Sequence, residues 1–250
     1  MTWAMLRVKN ESRWIARVIR SIQPVTHRII ILDDHSTDNT ASICKKLDCT
    51  VIPSPYPAMD LDEARDKNRL LSSLWSCGAL PGDYVLSIDG DELLNPPDLE
   101  HFRVLSCSST TTPRLYSFKI EYLWDREDQL RVDGLYSHFY RPSLFPLTNR
   151  GLTFHSTHYG GNFHCGSVPT NLCAQVIQSP HVRLIHFGYL HREDRIRKYR
   201  TYNLVDPSNS YEDSYRHMVC GDIAEVPASS KLKWAGPLAL EPSPFQIQDV

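Results

Sequence analysis

Residues 28–32, Arg-Ile-Ile-Ile-Leu, make an apolar run too short for a helix, and it stops abruptly at Asp33-Asp34. Tyr84–Ile88 repeats the pattern and runs into Asp89-Gly90-Asp91-Glu92. Trp3–Val8 and Thr50–Ile52 are two further strand-like runs. The stretches between these four are helical in period. Trp14, Ile15, Val18, Ile19 and Ile22 recur on one face before Pro24. Thr40–Leu47 follows Ser36-Thr37-Asp38, a capping sequence, and Asp60–Cys77 carries Ala64, Leu70, Leu71 and Leu74. Strands that alternate with helices predict an α/β fold whose parallel sheet is joined by right-handed crossovers. Ligands of such sheets bind beyond the carboxyl ends of the strands, and both acidic clusters fall there.

The pattern changes after Pro96-Pro97. A helix over Asp98–Leu105 and a Ser/Thr loop over Ser106–Thr112 lead into strand-like segments at Arg114–Trp124, Leu130–Tyr140, Ala174–Ile177 and Val182–Phe187. A charged helix at Arg192–Leu204 follows, then a proline-rich tail over 227–250 that is expected to wrap the surface. At 250 residues the chain sits near the upper limit for one hydrophobic core, so a single domain is expected. The 27 basic and 29 acidic residues argue against a dedicated nucleic-acid binder, although a modified nucleic acid touched through a local patch stays open as a substrate. The seven cysteines form no C-x-x-C pair, which favours buried thiols in a reducing compartment. Met1–Val8 is too short for a secretory h-region and runs into Lys9, Glu11 and Arg13, and no apolar run approaches the ~18 residues of a membrane span. A soluble, cytoplasmic protein without integral membrane contact is the expectation.

Asp89 and Asp91, at i and i+2 around Gly90, can converge on one hard cation. Mg²⁺ or Mn²⁺ held in this way keeps waters and takes its remaining ligands from substrate phosphates. The competing reading is a solvated acidic turn. Asp33 and Asp34 form the second cluster, where carboxylates are costly unless they bind something, such as a pyrimidine imide or a ribose hydroxyl.

Four features stand in order: Val8-Lys9-Asn10-Glu11, Asp33-Asp34-His35-Ser36-Thr37-Asp38, the helix bearing Arg65 and Asn68, and Asp89-Gly90-Asp91. Together they resemble the inverting family 2 glycosyltransferases, over roughly residues 3–95. The resemblance implies a GT-A fold, with a mostly parallel, Rossmann-like sheet flanked by helices and a mixed α+β acceptor half. It divides the single domain into a nucleotide-sugar half at 1–97, an acceptor half at 98–226 and the tail. Val8, Asn10, Glu11, Asp33, Asp34, Arg65, Asp89 and Gly90 would line the nucleotide-sugar pocket. Asp89 and Asp91 would hold Mn²⁺ or Mg²⁺. The implied reaction is metal-dependent transfer of a sugar, with inversion, from a nucleotide diphosphate donor, a UDP-sugar for preference. The acceptor would carry a hydroxyl, on a glycan, lipid-linked sugar, peptide or small molecule.

Seven of the eleven histidines lie between His138 and His191, in the half that must bind the acceptor. Val182–Tyr189 resembles a family segment ending a late strand in His, which makes His186 the candidate third metal ligand; a buried structural histidine is the alternative. Gly151–Ser156 resembles a segment that reads His-Glu in related enzymes, but here Ser156 stands in place of the Glu. Inversion needs a base near the acceptor hydroxyl, and His155, His158 and Asp133 are the candidates. The same histidines, with Cys165 and Cys173, fit no compact zinc spacing. Gly160-Gly161-Asn162 reads as a loop that closes over substrate. Arg192–Arg200 reads as a solvated basic helix face, or else as a contact for diphosphate or an anionic acceptor. Two other functions compete: a nucleotidyltransferase, for which Val8–Glu11 lacks the glycine-rich phosphate loop, and a non-catalytic nucleotide-sugar or glycan-binding module, which would have no need of the Asp pair.

Overall fold

The computed structural model describes residues 1–58, 60–107, 112–156, 164–209 and 212–245. Its first half is the expected alternation: β1 (Thr2–Val8), α1 (Ile15–Ile22), β2 (Arg28–Asp33), α2 (Thr40–Lys46), β3 (Thr50–Pro53), α3 (Glu63–Ser76) and β4 (Tyr84–Ser87). These strands lie parallel in the order β3-β2-β1-β4. The two faces of β1 and β2 explain why the runs are continuously apolar. Leu6, Val8, Ile29 and Ile31 pack on one side against Ile15, Val18, Ile19 and Ile22 of α1. Trp3, Met5, Ile30 and Leu32 pack on the other against Leu70, Leu71 and Leu74 of α3. A strand covered on both faces has no solvent side for polar residues to occupy.

The second half adds β5 (Glu92–Leu94), α4 (Leu99–Cys107), β6 (Arg114–Trp124), β7 (Arg126–Arg131), β8 (Tyr140–Pro146), β9 (Gln175–His186), α5 (Arg192–Val205) and β10 (Leu240–Pro242). The sheet path runs β10-β7-β6-β8-β4-β1-β2-β3, and β9 joins it by pairing with β5 and β6. β8 carries the path from β4 to β6 through antiparallel pairs on both sides, so the second half is mixed where the first is parallel. The α/β class with a mixed second half is thus the fold observed.

Four expectations change. The run expected at 130–140 breaks at a 3-10 turn, Gly134–Ser137, whose Gly134 has φ +53 and sits so close to the Trp234 carbonyl that no Cβ fits there. The segments at 174–177 and 182–187 are one strand, β9, whose register against β6 shifts between Phe118 and Lys119. β5 was not foreseen, because three residues carry no readable period; it pairs antiparallel with β9, Glu92 opposite His186. The tail does not merely wrap the surface: its Leu240–Pro242 stretch adds a strand beside β7.

Candidate active site

The loops after β1 and β2 are stitched together by short polar side chains. The Asn10 amide nitrogen donates to Ser36 Oγ at 3.0 Å, Asn10 Oδ1 accepts from the Thr37 amide at 2.7 Å, and the Glu11 amide donates to Thr40 Oγ1 at 2.8 Å. Asn10 adopts φ +57, a left-handed conformation that Asn tolerates better than most residues. Asn10 therefore shapes the loop. Asp34 is buried, and its Oδ2 takes Arg7 at 2.7 Å and Lys9 at 3.3 Å. Those cations offset the cost of burying Asp34, which the sequence alone left without a partner. Asp33 accepts from the Ser36 amide through Oδ2, while its buried Oδ1 finds no protein partner among the described residues.

α3 begins at Asp62, whose side chain accepts from the Arg65 amide at 2.9 Å. Arg65 then turns outward over the Tyr56 ring, 3.5 Å from its centroid, and pairs with Asp60 at 2.7 Å. Tyr56, Arg65, Asn68, Arg69 and His155 line a cavity of about 570 Å³. Asn68 clips the far wall to the helix, donating to the Phe154 carbonyl at 2.9 Å and accepting from the Phe154 amide at 2.8 Å. His155 Nδ1 lies 2.6 Å from Thr170 Oγ1.

The segment after β4 separates its carboxylates. Asp89 turns to Arg141 Nη1 at 2.9 Å. Asp91 is buried, with Oδ2 2.5 Å from Lys198 Nζ and 3.8 Å from His186 Nε2. Between them Gly90 lies so near Val8 and Glu11 that a Cβ would stand 3.0 Å from each side chain. Glu92, almost fully buried, accepts from Arg141 and from the Asp89 amide. Burial raises the Glu92 carboxyl to about 7 against the opposing pull of Arg141. Burial and the Asp91 charge raise Glu11 to about 8. Burial also opposes a charge on Asp91, but Lys198 and His186 outweigh it and hold that carboxyl well below the usual range.

His186 is the residue that β9 delivers to this point, because Glu92 and His186 are paired across the β5–β9 ladder. Burial lowers its imidazole to about 4, so the ring is neutral and able to ligate at neutral pH. Its Nδ1 is buried without a protein partner among the described residues. Among the described residues no three His, Cys, Asp or Glu side chains form a ready-made metal cluster. Asp91 and His186 nonetheless offer one hard oxygen and one imidazole nitrogen close together. That donor set suits Mn²⁺ or Mg²⁺ when substrate oxygens and water complete the shell.

The structure thus brings Glu11, Asp91 and His186 together and gathers Arg65 and His155 at a cavity on the α3 side. Asp133 is elsewhere: both its oxygens bind Arg131, at 2.8 and 3.0 Å, and it also accepts from the Ala239 amide. That buried pairing ties Asp133 into the scaffold of the second half. His158 and Gly160-Gly161-Asn162 lie outside the described residues. Of the basic residues in Arg192–Arg200, Arg192, Arg197 and Arg200 are exposed as a solvated face requires, whereas Arg195 is 1% exposed and the Lys198 side chain is 12% exposed. Sequence reasoning missed Arg7, Glu92, Arg141 and Lys198 as site groups. Lys198 had one readable signal, its place one turn after Arg195 and one turn before Tyr202 on a common helix face.

Residues 5–159 match the family described as glycosyl transferase family 2. An uncharacterised glycosyltransferase of Rickettsia conorii is 34% identical over 92 residues, which is 37% of this chain and 29% of that protein. Another, of Rickettsia prowazekii, is 34% identical over 87 residues, 35% of this chain and 26% of that one. The matched stretch therefore spans less than a third of these curated relatives. Among solved structures, S. aureus TarS 1–349 aligns over 88% of this chain and 69% of its own, at 15% identity and TM-score 0.49. Glucosyl-3-phosphoglycerate synthase from Mycobacterium tuberculosis, in complex with Mn²⁺, uridine diphosphate and glucosyl-3-phosphoglycerate, aligns over 46% of this chain and 43% of its own, at 23% identity and TM-score 0.35.

Proposed function

The chain belongs to glycosyl transferase family 2, and from that premise we propose that it moves a sugar from a nucleotide diphosphate donor, a UDP-sugar, to a hydroxyl-bearing acceptor with inversion. The observation that carries the reading is the meeting of Asp91 with His186. Residues far apart in sequence, on β9 and just after β4, present a carboxylate oxygen and a neutral imidazole within 3.8 Å at a strand-end site. When bound there, Mn²⁺ or Mg²⁺ neutralises charge on the diphosphate leaving group. Asp91 and His186 would be its protein ligands. Asp89, on the other side of Gly90, is held by Arg141. The nucleotide lies along the ends of β1 and β2, with Asp33 Oδ1 available to accept from the base or ribose and Arg65 on the outer wall. His155, which lines the cavity beside Arg65, is the proposed base, ahead of Asp133, whose carboxylate is committed to the Arg131 ion pair.

The test is donor hydrolysis with acceptor-independent readout. UDP release from a panel of UDP-sugars with Mn²⁺ is expected, and Asp91→Asn should lower it by about 10²-fold or more, the scale on which a preorganised electrostatic stabiliser acts. Tight binding of nucleotide sugars without turnover of any of them, alone or with hydroxyl acceptors, would instead establish a binding module.

A further inference from the structure

Building on the metal site proposed above, we propose that Lys198 is a positioning residue, a tethered cation that occupies Asp91 in the free protein and must withdraw before a divalent metal can bind there. Lys198 Nζ sits 2.5 Å from Asp91 Oδ2, the same oxygen that faces His186 Nε2 at 3.8 Å. A divalent ion ligated by that oxygen at about 2.1 Å would lie within a few ångströms of the ammonium, and two cations so placed in a buried site repel strongly. The two therefore compete for this oxygen.

Three features make the pair a designed contact rather than a surface accident. Asp91 is 5% exposed, and a buried carboxylate without a cation is strongly disfavoured, so some partner is needed whenever metal is absent. Gly188 provides the room: a methyl group at 188 would overlap Asp91 Oδ2 and Lys198 Nζ together. The helix itself is anchored. Arg195, one turn earlier, donates to the Tyr189 and Leu190 carbonyls at 2.7 and 3.0 Å and pairs with Asp222 at 2.6 Å. Exchange at Asp91 therefore falls to the flexible stem of Lys198 and not to a shift of α5. The device would keep affinity for free metal low and make metal binding depend on the donor, whose diphosphate supplies the missing ligands and receives the displaced ammonium.

Mn²⁺ binding, followed by the paramagnetic resonance signal of the free aquo ion, tests this on the full chain and on Lys198→Met and Lys198→Arg. Without nucleotide, Lys198→Met should bind Mn²⁺ about tenfold or more tightly than the parent, a cautious figure beside measured couplings of close charge pairs. Lys198→Arg, which keeps the cation, should stay weak. UDP should tighten the parent far more than the Met variant. Equal or weaker binding by folded Lys198→Met overturns the latch alone. Failure of every chain to bind Mn²⁺ with UDP present overturns the metal site and the latch with it. Should the Met variant not fold, the parent decides: saturating Mn²⁺ must increase acetylation of Lys198 by acetic anhydride, and unchanged labelling refutes the exchange.

Discussion

Around β1–β4 the carboxylates at the end of the last strand take their cations from far along the chain: Asp89 and Glu92 from Arg141, Asp91 from Lys198. Around β6–β10 the most deeply buried charges are paired within their own half. Arg131 binds Asp133 and lies 4.4 Å from the Trp124 ring centroid, and Arg195 binds Asp125 and Asp222 against the same ring at 4.1 Å. The pairs of Arg131 and Arg195 fix the shape of the second half, whereas the pairs that Asp89, Glu92 and Asp91 make across the seam meet at the proposed donor site. The seam is therefore where chemistry is expected, and charge pairs inside the second half should govern stability with little direct say in donor binding.

The largest effect should come from breaking an internal pair. Arg131→Leu leaves Asp133 buried without its partner and removes the donor to the His217 carbonyl. Truncating one side of a buried ion pair costs about 3–5 kcal/mol, a large fraction of the roughly 5–15 kcal/mol by which an ordinary domain is stable. Urea denaturation should show that loss, while the fraction still folded keeps the affinity of the parent for UDP. A variant of unchanged stability would mean that the buried arginines are not the scaffold of this half.

A middle-sized effect is expected where α3 is clipped to the chain across the seam. Asn68→Ala leaves the Phe154 amide without its partner and its carbonyl with only the longer contact from Thr153 Oγ1 at 3.4 Å, beneath a side chain only 2% exposed. Leaving buried backbone groups unsatisfied costs about 1–3 kcal/mol. Because His155 follows Phe154 directly, the variant should also lower kcat more than it raises donor KM. A change confined to KM would place the 153–156 segment in donor binding instead of catalysis.

The same contrast explains what could be read from the sequence. β1–β4 were legible because each is a continuous apolar run flanked by periodic helices, a signal contained within some twenty residues. Asp91 was legible because it follows a strand end, where such sheets bind ligands, and His186 because its segment resembles one in the family. Arg141 and Lys198 were not. Each owes its role to a partner 49 to 107 residues away, and only the packing of β8 and α5 against the end of β4 creates that role. The partner of Asp133 was hidden for a similar reason: a lone carboxylate in sequence looks available, and only the fold shows Arg131 on both oxygens. The break at 134–137 was hidden in the same way, since Gly134 yields to a close approach by residue 234 that no local pattern announces.

The smallest effect should lie on the first half's own stitching, at Asp38. Its Oδ1 accepts from the Thr40 amide at 2.9 Å at the start of α2, and its Oδ2 accepts from the Ser12 amide at 3.1 Å. A modest desolvation penalty opposes its charge, but the Thr40 hydroxyl and the Ser12 contact outweigh it and place the carboxyl below its usual value. A group whose pKa falls on folding stabilises the native state above its unfolded pKa of about 3.9, and that contribution disappears as pH drops through the lower, folded value. Asp38→Ala should therefore cost about 1 kcal/mol at pH 7, as for loss of a helix-start acceptor. The gap between variant and parent in urea midpoints should narrow as pH falls below about 4, where the parent carboxyl takes up its proton. A gap that stays constant down to pH 3 would mean that neutral acceptor geometry, and not the carboxylate charge, holds the loops after β1 and β2 together.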